Sequence, residues 1–233
     1  MIKIIKTSFG NFMGYEHDAL FKSLIENKFH DPEIGLFIEK NIKPEDVCID
    51  IGANIGTMSV FLSKHCKFVY SIEPQLNIYL ALCGNLFINE CNNVKPLNIA
   101  AYSENKTLSI ASKEKLDGWV GDIHEGLDKV KSFGSVSLEE KETGDIKGKK
   151  LEDIIKEKIN FIKVDAEGGD LDALIGCKKI IENDNPRIIF EFHKSCSKKC
   201  YNRTWEDYCK FFKQINYKMT QISERDFLAE PNE

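Results

Sequence analysis

One stretch near residue 50 combines an acid with glycines at a spacing that could hold a charged ligand. The sequence VCIDIGANIGT, residues 47–57, begins as an apolar strand and ends on glycines. Glycines let a strand turn directly into a helix whose free N–H groups point at a ligand. The NAD fingerprint G-x-G-x-x-G surrounds a pyrophosphate, whereas here an acid precedes the glycines, in the order D-x-G-x-N-x-G. That order suits a nucleotide-like ligand with a cationic amino-acid tail, bound by Asp50, Gly52, Ala53, Asn54 and Gly56.

Acidic and imidazole side chains also end the other predicted strands. Glu73 ends the second strand, where a carboxylate can accept hydrogen bonds from both hydroxyls of a ribose. Asp165 and Glu167 end the fourth strand, and Glu191 and His193 end the fifth. Residues two apart on a strand share a face. We therefore expect these last four groups to converge at one edge of the sheet, where they could transfer a proton.

The elements that position these groups alternate along the chain. From Val47 onward, strands and helices take turns, which is typical of a parallel sheet with right-handed crossovers. Helix 76–89 follows the second strand and carries one apolar face at helical spacing, made of Leu76, Leu80, Cys83 and Phe87. The third strand is predicted at 94–100. Before the sheet, Asp18 caps a helix at 19–27 and a second helix covers 33–41.

The first motif resembles that of S-adenosylmethionine-dependent methyltransferases with a Rossmann-like fold, and its DxGANxG form resembles the FkbM family of O-methyltransferases. Four other family motifs are similar to segments in the same order: FEP to 72–74, LDxL to 151–154, IKxDxEG to 162–168 and ExH to 191–193. The resemblance covers roughly residues 33–193. Gly169 and Asp170 depart from it, since the family often has Ala and Glu there.

The resemblance implies an α/β, Rossmann-like class I methyltransferase fold with a mostly parallel seven-stranded sheet and helices on both faces. At 233 residues the chain suits one domain. We divide it into an N-terminal helical cap (1–43), a cofactor-binding half (44–101), an insertion after strand three (102–150) and a catalytic and acceptor half (151–233). The implied cofactor is S-adenosylmethionine, with S-adenosylhomocysteine as product.

In that fold the end of strand three lies near adenine. Ala100 and Ala101 would leave space for the base, and Asn98 could contact its edge. Asp165 would lie near the transferred methyl.

Catalysis requires an oxygen in line with the S–CH3 bond and removal of its proton. We predict His193 or Asp165 as the base, His193 being favoured because an imidazole titrates near neutral pH, with Glu191 and Glu167 beside them. An alternative scheme uses Asp165 and Glu191, and Glu167 if needed, to hold Mg²⁺ or Mn²⁺. The metal-free route is favoured. Glu167 has a second interpretation, as the cap of the helix that begins at 168 or 169.

The expected acceptor is a hydroxyl, most plausibly of a sugar on a glycan or glycolipid precursor. A small natural product is the alternative, and a non-catalytic cofactor-binding protein or an NAD-linked oxidoreductase are weaker ones. Trp119 in the insertion could stack on a sugar ring. A packing role for Trp119, in a solvated hairpin, is the competing interpretation.

Composition narrows the classes further. A net charge of −5 argues against capture of nucleic-acid phosphates. The N-terminus is interrupted by lysines, and no apolar run approaches the roughly 18 residues of a membrane span. We therefore predict a cytoplasmic protein without membrane insertion that acts on a small molecule or a glycan.

The eight cysteines are predicted to be reduced, because most lie in predicted strands or helices, where a thiol serves as a small apolar residue. His193, Cys196, Cys200 and Cys209 offer zinc-ligand types without the paired spacings of zinc sites. We interpret them as a chance grouping.

Overall fold

The structure is a computed structural model that describes residues 1–26, 31–116, 118 and 120–232. The strands are β1 (Ile2–Lys6), β2 (Asn11–Tyr15), β3 (Val47–Ile51), β4 (Phe68–Ile72), β5 (Val94–Leu97), β6 (Ala100–Ala101), β7 (Lys106–Ile110), β8 (Leu138–Glu140), β9 (Ile146–Lys149), β10 (Phe161–Val164), β11 (Arg187–Glu191), β12 (Tyr217–Gln221) and β13 (Asp226–Pro231). The α-helices are α1 (Ala19–Ile25), α2 (Pro32–Asn41), α3 (Thr57–Ser63), α4 (Leu76–Ile88), α5 (Leu151–Ile154), α6 (Asp170–Ile175), α7 (Lys178–Asp184), α8 (Lys194–Tyr201) and α9 (Trp205–Gln214).

The main sheet has seven strands in the order β12-β13-β11-β10-β3-β4-β5, and β13 runs antiparallel to its neighbours. The central strands are continuously apolar and buried, as expected where helices cover both faces of a sheet. One face packs against Leu171, Ile181 and Phe212 of the later helices. The other packs against Ile38 of α2 and Leu62 of α3. The predicted mostly parallel α/β fold is therefore confirmed.

The predicted helical cap is wrong for the first fifteen residues, which form the antiparallel hairpin β1–β2. The turn closes because Thr7 exchanges hydrogen bonds with Gly10 through both its backbone and its hydroxyl. After the hairpin, Asp18 caps α1 as predicted and accepts the N–H of Phe21 at 3.0 Å. The helical part of the cap is thus limited to α1 and α2.

Asn85 attaches the hairpin to α4. Its side-chain amide is buried and exchanges hydrogen bonds with both backbone groups of Met13, at 2.6 and 3.0 Å. The same amide donates to the carbonyl of Ile55 at 2.7 Å, in the turn before α3. Further along, Asn89 bonds both backbone groups of Asn11. Asn85 of α4 and Asn89, its C-cap residue, therefore provide β2 with the hydrogen bonds that a neighbouring strand would otherwise provide.

The third strand is shorter than predicted. β5 ends at Leu97, and the chain then leaves the main sheet, so Ala100 and Ala101 begin a separate four-stranded sheet in the order β6-β9-β7-β8. The sequence of the insertion has β-like stretches at 107–111 and 135–138. The first coincides with β7, whereas β8 begins only at Leu138, where the second stretch ends. The insertion therefore supplies three strands of a small second sheet, in which β6 contacts α6 and β8 contacts α8.

The apolar stripe predicted on α4 faces outward. Leu76, Leu80 and Phe87 are 60, 57 and 84% exposed, while the adjacent face, with Ile78 and Leu82, is buried in the core. The helix is apolar on both sides, so its sequence periodicity could not show which side meets the sheet.

Other sequence expectations hold. All eight cysteines are free. Thr204 and Asp207, at the three-residue spacing of a capping box, form one at the start of α9. Within the described ranges, none of the helices combines the length and apolarity needed to cross a bilayer.

We expect Asn85→Ala to lower the free energy of unfolding by about 1–3 kcal/mol, because it leaves backbone groups of Met13 and Ile55 without hydrogen-bond partners. Urea unfolding followed by circular dichroism measures the loss, with the exposed Asn92→Ala as control. Equal stability of the two variants would contradict the proposed attachment.

Candidate active site

A cavity of about 550 Å³ opens at the carboxyl ends of β3, β4, β10 and β11. Ligands of open α/β sheets bind at this edge, where the order of the strands reverses. Many of the predicted site residues line the cavity: Gly52, Ala53, Asn54, Glu73, Ala100, Asp165, Glu167 and Glu191.

The glycine loop has no room for side chains at its tightest point. Gly52 has a φ of +77°, and a Cβ added there would lie 1.7 Å from the carbonyl oxygen of Asp165. The N–H groups of Gly52 and Ala53 both donate to the carbonyl of Ile72, which ties the loop to β4. Gly56, also with positive φ, caps α3 and is not among the cavity-lining residues. Its role is to turn the loop into the helix.

Glu73 holds this loop from the neighbouring strand. One carboxylate oxygen accepts the N–H of Asn54 at 3.0 Å, and the other accepts the N–H of Gln75 at 2.8 Å. Burial raises the pKa of Glu73 to about 7, against the lowering effect of these two donors. Its carboxylate lies at the end of β4 beside the glycine loop and lines the cavity.

A buried lysine that sequence reasoning missed joins the two central strands. Lys163 lies directly opposite Asp50 in the register of β10 and β3, and its Nζ lies 3.1 Å from Asp165 Oδ2. Burial alone lowers the pKa of its ammonium, but the charges of Asp165 and Asp50 outweigh burial and raise it. The available signal was a lysine in an apolar strand, two residues before an acid and therefore on the same face.

Asp50 lies beneath the cavity rather than on its surface. It is fully buried, and Ser59 donates to its Oδ2 at 2.6 Å, while Oδ1 has no hydrogen-bond partner. Burial raises its pKa, and Lys163 opposes that shift. Asp50 therefore lies outside the cavity lining and places its carboxyl group beneath the glycine loop.

Three carboxylates meet at the carboxyl ends of β10 and β11. Asp165, Glu167 and Glu191 each place an oxygen within 4.8 Å of the others. Burial, followed by the charges of Asp165 and Glu167, raises the pKa of Glu191 to about 10, although Arg225 lies 3.8 Å away. These oxygens could share protons, accept hydrogen bonds from the hydroxyls of a substrate, or hold a hard cation such as Mg²⁺. Among the described residues this is the one group with a metal-ligand arrangement, and the cluster of His193 and three cysteines does not form one.

Glu167 does not cap the following helix. It has a φ of +48°, and the carboxylate of Asp170 instead accepts the N–H groups of Ala166 and Gly168 at 3.1 Å each. The structure also explains why position 169 is Gly rather than Ala, because a Cβ there would lie 2.9 Å from the hydroxyl of Tyr201. Asp170 and Gly169 thus shape the turn that presents Glu167 to the cavity.

His193 begins α8. Its Nδ1 accepts the N–H of Cys196 at 3.2 Å, so the ring proton is on Nε2, and His193 is not among the cavity-lining residues. To accept a proton at Nδ1 it would first have to release that helix cap. Its role as the base stays a prediction.

The remaining predicted residues have different surroundings. Asn98 donates to the carbonyls of Glu73 and Pro74 at 2.9 and 3.0 Å and is not among the cavity-lining residues. Trp119 lies outside the described residues, so its stacking role stays a prediction. The insertion does reach the site, because residues 132–136 line the cavity. Asp18 fixes this segment by accepting the N–H of Phe133 at 2.9 Å.

Comparisons with known proteins agree with this architecture. A family model described as the methyltransferase FkbM domain matches residues 50–225. A probable cobalt-precorrin-6B C(15)-methyltransferase (decarboxylating) of Methanococcus maripaludis is 42% identical over 76 residues, which are 33% of this chain and 35% of that protein. The chain thus spans about a third of the length of that relative.

Two solved structures share the fold at low identity. The methyltransferase FkbM of Methylobacillus flagellatus is 14% identical with a TM-score of 0.51, and the match covers 90% of this chain and 57% of that one. SMU.1697c of Streptococcus mutans, in complex with SAH, is 15% identical with a TM-score of 0.52, and the match covers 87% and 96%.

The sheet order, the glycine loop and these likenesses define a Rossmann-like methyltransferase fold. Because the family model covers more than half of its length, the chain belongs to the FkbM methyltransferase family. The family predicted from the sequence is confirmed.

We expect Lys163→Met to lower the free energy of unfolding by about 3–5 kcal/mol, since it leaves Asp50 and Asp165 without a buried cation. Lys163 opposes the rise that burial causes in the pKa of Asp50, so without Lys163 that pKa rises further in the folded state. A carboxyl whose pKa is higher in the folded than in the unfolded state destabilises the fold increasingly as pH rises through that pKa. The stability deficit of the variant should therefore be larger at about pH 8 than at about pH 5. Chemical denaturation at both pH values measures it, with the exposed Lys158→Met as control. A deficit independent of pH would contradict the charge pairing.

Proposed function

We propose that the protein is an S-adenosylmethionine-dependent O-methyltransferase that methylates a hydroxyl of a neutral sugar on a glycan or glycolipid precursor. Family membership supports methyl transfer. The observation that carries the choice of acceptor is the charge of the cavity, whose lining includes Asp31, Asp165, Glu167, Glu224 and Asp226 but only Lys163 and Arg225 as cations. Lys163 is already paired with Asp165.

The cofactor fits the loop side of the cavity. Its ribose hydroxyls would donate to Glu73, and its adenine would lie beside Ala100 and Ala101, whose small side chains leave space. The sulfonium and the amino group carry positive charge, which the excess of carboxylates attracts. S-adenosylmethionine provides an activated methyl and a neutral leaving group, so the protein has to align the acceptor oxygen and manage its proton.

The acceptor side favours uncharged, hydroxyl-rich ligands. Carboxylates such as Glu224 and Asp226 accept hydrogen bonds from hydroxyls, and charge-assisted bonds of this kind are strong. Serines at 23, 132 and 135 add further polar groups to the wall. Phosphorylated or carboxylated acceptors would meet repulsion from the same carboxylates. A neutral glycan therefore suits the cavity better than an anionic one.

For the proton, the contacts favour the carboxylates over the imidazole. Asp165 and Glu191 line the cavity, whereas Nδ1 of His193 accepts the N–H of Cys196 at the start of α8. Asp165 is held by Lys163, which keeps one oxygen fixed and the other available to the acceptor. We therefore infer that the proton of the acceptor leaves toward the cluster of Asp165, Glu167 and Glu191.

The acceptor assignment is tested by incubating the protein with S-adenosylmethionine and a panel of neutral, anionic and cationic sugars beside phenolic and polyketide-type alcohols. Release of S-adenosylhomocysteine and NMR of the product identify the methylated atom. O-methylation of neutral sugars is expected. Exclusive methylation of carbon, or turnover of small natural products alone, would reject the sugar assignment, while calorimetric binding of NAD instead of S-adenosylmethionine would reject the methyltransferase itself.

Glu73 should make cofactor affinity depend on pH. The ribose hydroxyls donate to the ionised carboxylate, so affinity should rise as pH increases through the pKa of about 7. Glu73→Gln should weaken binding at higher pH by about 1.5–3 kcal/mol and remove this pH dependence. Titration calorimetry with S-adenosylmethionine measures both, with the exposed Glu45→Gln as control. A dissociation constant unchanged by Glu73→Gln would sink the assignment.

Asp165→Asn should lower turnover by roughly 10²–10⁴-fold, the usual range for loss of a general base, with the cofactor still bound. His193→Ala should retain most of the activity. The reverse pattern would return the role of base to His193.

Chelation separates the two uses of the carboxylate cluster. Full activity in excess EDTA would assign proton transfer to Asp165 itself. Loss of activity in EDTA and its recovery with Mg²⁺ or Mn²⁺ would assign the cluster to a cation.

A further inference from the structure

We infer that two copies of this chain pair through a surface formed by the outer face of α4 and the adjoining face of the β1–β2 hairpin. This surface, called the hairpin–helix patch below, consists of Ile2, Ile4, Met13, Leu76, Leu80 and Phe87. It lies outside the cavity, so the inference does not depend on the acceptor.

The members of the patch form a continuous surface because β2 runs along α4. Asn11 bonds to Asn89, and Met13 bonds to Asn85, four residues earlier in the helix. The side chain of Met13 covers the helix at Gly84, where an added Cβ would lie 2.6 Å from Met13 Cε.

Both elements extend this contact. Gly84 shares a helix face with Leu80 and Phe87, four residues before it and three after it. On the hairpin, Ile4 is the strand partner of Met13 and lies on the same face of the ribbon. Ile2, two residues away, shares that face.

The exposed apolar area is large for a single chain. The exposed fractions are 56% for Ile2, 67% for Ile4, 60% for Leu76, 57% for Leu80 and 84% for Phe87. At roughly 200 Å² for a fully exposed residue of this size, close to the 150–250 Å² that aromatic residues bury, these fractions amount to roughly 600–700 Å². The largest patch on a typical monomer is about 300–600 Å². One side of a standard protein interface buries about 800 Å².

A second copy is the occupant that these features fit. A twofold pair buries the same patch on both subunits, so an uncharged, apolar patch is complementary to itself. In the described part of the chain, β1 pairs with β2 alone and forms the free edge of a two-stranded sheet, which a second β1 could extend. Lys3 on that strand is already paired with Glu16 of its own chain. Pairing would therefore cover apolar area without separating this ion pair.

Sedimentation equilibrium of the full chain tests the inference. The wild type should be a dimer, and Leu80→Glu or Phe87→Glu should weaken dimerisation by at least tenfold while the thermal unfolding of the subunit is preserved. Ile4→Lys should have the same effect from the hairpin side. The matched control is Leu36→Glu, at a position 54% exposed on α2 and outside the patch, and it should remain dimeric.

Three results would overturn the inference. The wild type could be monomeric at all concentrations, the patch variants could dimerise as tightly as wild type, or Leu36→Glu could dissociate as they do. A monomer that sediments with neutral phosphatidylcholine vesicles, and loses that binding in Phe87→Glu, would assign the patch to a lipid surface instead.

Discussion

The ammonium group of Lys163 is the charge around which the ends of the central strands are arranged. It lies between Asp50 and Asp165 on neighbouring strands, one beneath the glycine loop and the other at its rim. Lys163 opposes the effect of burial on the pKa of Asp50, and without it the buried acid would have no cation, a cost that exceeds most other single contributions to stability. The close approach of Gly52 to the backbone of Asp165 depends on the same alignment of strands.

Lys163 compensates only part of the acidity around the cavity. Burial and neighbouring carboxylates raise the pKa of Glu73 and Asp170 to about 7 and that of Glu191 to about 10. A cationic ligand bound beside these groups would lower their pKa values, so binding of such a ligand is coupled to proton release. Under the proposed function, the carboxylates that stay ionised would both attract the cationic cofactor and repel anionic acceptors.

The roof of the cavity comes from segments distant in sequence that a few buried side chains hold together. Asp18 caps α1 with one oxygen and binds the N–H of Phe133 in the insertion with the other. Gln75, at the start of α4, donates to the carbonyl of Phe133. Asn85 of that helix fixes the hairpin. These hydrogen bonds therefore connect the cap, the insertion and the cofactor-binding half beside the cavity.

The sequence by itself determined the local features: the strand–turn–helix around Gly52, the position of Glu73, the caps at Asp18 and Thr204 and the pairing of acids two residues apart. Each depends on neighbours along the chain, whose geometry is fixed by backbone sterics and periodicity. Only the tertiary structure decided that Lys163 lies opposite Asp50, and that Asp170 rather than Glu167 binds the N–H groups of the turn before α6. It also decided that His193 is the N-cap of α8 and that the apolar stripe of α4 faces outward. These depend on strand register and on which of two similar faces meets the core, and both are set by long-range packing that no local pattern records.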